Sequence, residues 1–126
     1  MILAELARPS AQLNDWFTWA AGQMAHALIG AVLGGALLFM LHPMAAFITA
    51  ALGYAALKEV PDFMRAPSWA TARDCMQDAL FVTVGAALAV AIAGGHERLF
   101  FVAAITAAMG LAWGVLQRLK GSGDAR

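Results

Sequence analysis

KEVPDFMRAPSWATAR, residues 58–73, is the stretch on which the fold turns. It places Lys58, Arg65 and Arg73 between two apolar blocks, 43–57 and 76–93. Further apolar blocks cover 20–41 and 99–116. Short loops rich in Lys and Arg stay on the cytoplasmic side of a membrane. With four crossings, the segment before the first block, the 58–73 loop and the C-terminal tail share that side. They carry Arg8, Lys58, Arg65, Arg73, Arg118, Lys120 and Arg126, against Arg98 alone on the other. Both termini are therefore expected in the cytoplasm and the protein in the inner (cytoplasmic) membrane. Trp16, Trp19, Trp69 and Trp113 are expected at the same face, where indoles favour the headgroup region.

Composition agrees with lipid as the solvent. The 126 residues are 62% apolar and 13% charged, with mean hydropathy +0.72. A soluble domain has about 45–50% apolar and about 25% charged residues. Zero formal net charge gives no basis for a nucleic-acid partner, and the expected partner is membrane lipid. Cys75 is the one cysteine, which excludes an intrachain disulfide and a cysteine-based zinc site. The start MILAELARPS lacks the basic, apolar and small-residue regions of a secretory signal.

The expected fold is all-α: one transmembrane domain over residues 1–126, an integral membrane four-helix bundle with short outer turns. Residues 4–19 are expected to form an interfacial helix capped by Ser10 or Asn14, and the tail 121–126 (GSGDAR) to be flexible. Segment 43–57 is short for a span: fifteen residues reach roughly 22 Å, against roughly 30 Å of hydrocarbon. It either lets Lys58 snorkel, continues irregularly toward Pro61, or re-enters, and a full crossing suits the charge pattern. Gly30 with Gly34 and Gly110 with Gly114 form GxxxG patterns. These serve packing within the chain or a homo-oligomer, because small residues let helix backbones approach in lipid.

Ionisable groups within or beside spans need partners or a function. His26 lies about two turns into the first span. Glu59 and Asp62 follow the second. Asp74 and Asp78 enter the third, one turn apart on one face. His26, Glu59, Asp62 and Asp78 are the candidate catalytic residues and the candidate metal ligands, a donor set suited to a divalent cation or to acid–base work. Gln23, Arg65 and Arg73 are placed to join them, and His26 with Asp78 is the pair to test first. Asp74 also suits an N-cap or first-turn position. His42 and His96, on the outer side, read as turn residues, and Tyr54 as packing or interface. No P-loop, HExxH, GxSxG or GxGxxG pattern occurs.

The order of His26 with Gly30, Glu59 with Asp62, Arg65 and Ser68, then Asp78 with Gly85, resembles the VanZ-like membrane proteins over roughly residues 22–90. The family usually has Gln where Asp62 stands and Asn where Val82 stands. The resemblance implies a four- or five-span membrane unit linked to envelope or glycopeptide responses, with no defined reaction. Three functional classes follow from the residues. One is a membrane protein whose cytoplasmic-side His/acid cluster binds a cation or a lipid headgroup. The second is a phage holin or virion assembly protein. The third is an accessory subunit of a membrane complex.

Overall fold

The computed structural model describes residues 15–123, with side chains to Lys120. Helix α1 spans Trp16–Leu37, α2 Pro43–Tyr54, α3 Val60–Arg65, α4 Trp69–Gly94 and α5 Glu97–Gly123. A π-helical turn, Ala55–Glu59, joins α2 to α3. No strand occurs among the described residues. The helices form an all-α bundle. Three of them, α1, α4 and α5, are long and apolar enough to cross a membrane.

Each boundary has a local cause. Asp15, not Ser10 or Asn14, caps α1: its carboxylate accepts from the Phe17 and Thr18 amides at 3.3 and 3.0 Å. Trp16–Trp19 is thus the first turn of α1 and not part of a separate interfacial helix; residues 4–14 of that expected element lie outside the described residues. At the far end of α1, the Leu38 amide returns to the Gly34 carbonyl and closes the last turn. Pro43 then starts α2, where its missing N–H costs nothing. Ser68 caps α4 through the Thr71 amide at 3.0 Å. Asp74 therefore lies more than a turn inside α4, not at its cap as one reading of the sequence had it. Gly95, with φ 67°, ends α4 in the left-handed conformation that glycine takes without strain. Of the 121–126 tail, residues up to Gly123 continue α5, and 124–126 lie outside the described residues.

The short second block continues as helix beyond Leu57. The 12 residues of α2, the 5 of the π-helical turn and the 6 of α3 form one unbroken helical arm. At about 1.5 Å per residue it extends roughly 34 Å, so the charged Lys58–Arg65 portion emerges beyond the apolar part. Pro61 explains the irregularity. It has no amide to give to a carbonyl one turn back and its ring crowds that carbonyl. The wider turn just before it absorbs the mismatch, with the Val60 amide bonding to Ala55, five residues back.

Helix α4 is the centre of the bundle: half of its most apolar window is buried, against 17% for α1 and 11% for α5. It packs most extensively on α1, then on α5 and α2. The α1–α4 seam is built from small residues. A Cβ on Gly30 would overlap the Val82 carbonyl, and one on Gly85 would overlap the Ala27 carbonyl. Gly34 abuts Ala86, while Gly110 and Gly114 receive the rings of Phe81 and Trp19. Both GxxxG pairs thus face neighbouring helices of the same chain. Since Gln23 meets Asp78, Gly30 meets Val82 and Gly34 meets Ala86, α1 and α4 run parallel. The outward surface is apolar, with Leu28, Val32, Leu52, Ile92, Val102 and Met109 among the exposed side chains, as lipid contact requires.

Candidate functional site

The parallel seam changes character along its length. At one end it is glycine and alanine; at the other it is polar. On α1 the same face that carries Ala27, Gly30 and Gly34 also carries Gln23, one turn earlier. On α4, Asp74 and Asp78 precede Val82 and Gly85 in the same way. The polar end of the seam is buried among the helices. Gln23 is fully buried, and Glu59, Asp74 and Asp78 are each 5% exposed.

Gln23 Nε2 donates to Asp78 Oδ1 at 2.8 Å. His26 Nδ1 stands 3.4 Å from the same oxygen, without hydrogen-bond geometry. The Tyr54 ring meets His26 edge-on at 6.1 Å, and its hydroxyl faces Glu59. The π-helical turn produces that last pairing. Residues five apart on an α-helix point about 140° away from each other, and the wider turn closes much of this angle. Glu59 Oε1 is buried without a hydrogen-bond partner, its nearest cation being Lys58 Nζ at 3.8 Å. The charge of Arg118 acts on Asp74, and its guanidinium lies 4.1 Å above the Trp19 ring.

The sequence-derived candidates therefore separate. His26, Glu59 and Asp78, with Gln23 and Asp74, converge at one end of the bundle. Asp62 turns away: it bonds Lys58 Nζ at 2.5 Å and Arg65 Nη1 at 2.8 Å on a partly exposed surface. The hydrogen bond from Lys58 holds the Asp62 carboxyl below the ordinary value near 4. A folded-state pKa below the unfolded one contributes stability above the unfolded value and loses it as pH falls through the folded value. Acid titration of thermal stability should accordingly show a loss below about pH 4 that Asp62→Asn reduces. An unchanged acid limb would remove Asp62 from the account.

Among the described residues, no three His, Cys, Asp or Glu side chains come together with the spacing of a metal site. Trp19 and Tyr54 are the participants that sequence reading missed. Trp19, expected at the interface, is 1% exposed and wedged against Gly114, whereas Trp16, Trp69 and Trp113 are exposed. Its only sequence signal was its position one turn before Gln23 on the seam. Arg73, expected beside the cluster, acts on Arg118 by charge. Ser68 serves as a cap. At the opposite end, His42 and His96 line one small cleft; His42 Nδ1 accepts from the Met44 amide at 3.4 Å as the cap of α2.

Comparison of the chain with family models, with curated proteins and with solved structures gave no match.

Proposed function

We propose that this is a small polytopic inner-membrane protein, both termini cytoplasmic, whose buried acid–histidine cluster binds a cationic group. The carrying observation is Asp78, 5% exposed inside the bundle, with a Gln23 amide bonded to one oxygen and a His26 imidazole nitrogen 3.4 Å from the same atom. Ionisable groups held inside a membrane bundle at such cost mark functional sites more often than packing. The charge asymmetry of Lys and Arg supports the orientation, and it puts the cluster in the cytoplasmic half. The composite arm makes the fourth crossing, with Lys58–Arg65 in the headgroup zone.

A cationic ligand suits the inventory. Asp62 is neutralised by Lys58 and Arg65, and Asp74 lies in the field of Arg118. Asp78 takes the Gln23 amide and stands 3.4 Å from His26, and Glu59 lies 3.8 Å from Lys58. An organic ammonium needs one or two carboxylate acceptors and tolerates an aromatic neighbour such as Tyr54. A divalent metal needs a larger donor set, so it would require rearrangement here.

Trp19 supplies the readout, because it sits one turn from Gln23. In a variant with Trp16, Trp69 and Trp113 replaced by Phe, Trp19 fluorescence should respond saturably to ethylammonium or to Mg²⁺ in detergent. Absence of a saturable response to either, or an identical one in the His26→Gln, Asp78→Asn double variant, would end the reading.

A further inference from the structure

Arg118 borders the acid–histidine cluster without belonging to it. Trp19 precedes Gln23 by one turn on α1, and Asp74 precedes Asp78 by one turn on α4. Helix α5 runs the other way: Gly110 meets Phe81 of α4, and Gly114 meets Trp19 of α1. The next turn of α5 therefore brings Arg118 toward the starts of α1 and α4. Its guanidinium lies 4.1 Å over the Trp19 ring, Nη1 donates to the Gly114 carbonyl at 3.2 Å, and its charge acts on Asp74. A cation thus already sits on an aromatic face, in the field of a carboxylate that is 5% exposed and one helical turn along the seam from Asp78.

We propose that Arg118 is a tethered counter-cation of this site, which an incoming organic ammonium must displace from Trp19 and Asp74. The inference rests on the cation-binding reading above and adds the regulation of that site. Three features support it. The chemistry is the ligand's own: a guanidinium, like an alkylammonium, is a cationic N–H donor that favours a carboxylate and an aromatic face. Two cations one turn apart among buried helices also repel each other, so a seated guanidinium and a bound ammonium oppose one another. Lastly, the seat has an exit. Arg118 is half-buried, and the charge of Arg73 on α4 repels it. An arginine near a helix end has a stem long enough to carry its head out to the polar boundary. Departure of the guanidinium from the indole also gives the Trp19 fluorescence response its physical source.

Isothermal titration calorimetry with ethylammonium, on the full-length chain in detergent, tests the proposal. A seat filled about nine-tenths of the time weakens apparent affinity about tenfold, so Arg118→Gln should bind about tenfold more tightly than the unaltered chain. Equal or weaker binding by a folded Arg118→Gln overturns the proposal, because it leaves Arg118 as a structural partner of Asp74 and Trp19. A second measurement needs no variant. In side-chain NMR the ring current of Trp19 sets the Arg118 Nε–H resonance apart from those of the exposed arginines. Ethylammonium at saturation should move it toward theirs. A resonance that stays in place overturns the proposal, whatever Arg118→Gln does. If it stays while the Trp19 response still depends on Asp78, the cluster binds cations without moving Arg118. If neither chain binds ethylammonium, the cation-binding reading fails as well.

Discussion

Leucine at Gly30 or at Gly85 should destabilise the bundle by about 3 kcal/mol, the upper end of what overpacking costs. Even a Cβ at either position collides with backbone, that of Val82 or of Ala27, and backbone cannot rotate aside as a side chain can. Relief requires α1 and α4 to separate along their whole seam. Gly35 provides the control. It sits one residue from Gly34 but faces open space, so Gly35→Leu should stay within about 0.5 kcal/mol. Thermal unfolding in a common detergent would measure all three. Equal losses at Gly30, Gly85 and Gly35 would mean that the close approach contributes nothing. The seam also aligns the site, because the register that seats Gly30 on Val82 brings Gln23 to Asp78. Separated helices should therefore lose the Trp19 response to ethylammonium at temperatures where they are still folded.

Asp78→Asn should separate binding from stability. Asparagine keeps an oxygen that accepts from Gln23 at the position of Oδ1, so the melting temperature should barely move. It removes the charge that an ammonium or metal ion needs, and affinity should fall at least about tenfold, or about 1.4 kcal/mol. Asp78→Ala removes the acceptor as well and leaves the buried Gln23 amide short of a partner. It should cost about 1–3 kcal/mol of stability. A pure packing role for Asp78 makes the opposite forecast, with Asn harmless in every assay. Parallel titrations of Trp19 fluorescence and thermal melts decide between them.

Much of this architecture is legible in the chain because lipid leaves few choices. Blocks of apolar residues long enough to cross must be helices, since backbone groups find no water there. Asp74 and Asp78 share a face by helical spacing alone, and GxxxG patterns announce close helix contacts. Tyr54 and Glu59 were another matter. Five residues apart, they look as though they diverge, and only the π-helical turn ahead of Pro61 brings them near one another. Asp62 looked like a member of the cluster because it follows Glu59 closely. Its two basic neighbours on the same helical arm, at four residues before and three after, hold it outside. Trp19 looked like an interface anchor, yet Gly114 on α5 leaves a hollow that takes its ring.

Sequence alone determined the apolar character of the long segments and the helical class, because both follow from the free energy of moving individual groups between water and hydrocarbon. Tertiary structure decided which polar side chains meet. That outcome depends on the register of α1 against α4, which backbone contact at Gly30 and Gly85 sets, and on a local change of helical pitch at residues 55–59. Neither is a property of any residue type, since both arise only when two helices are pressed together.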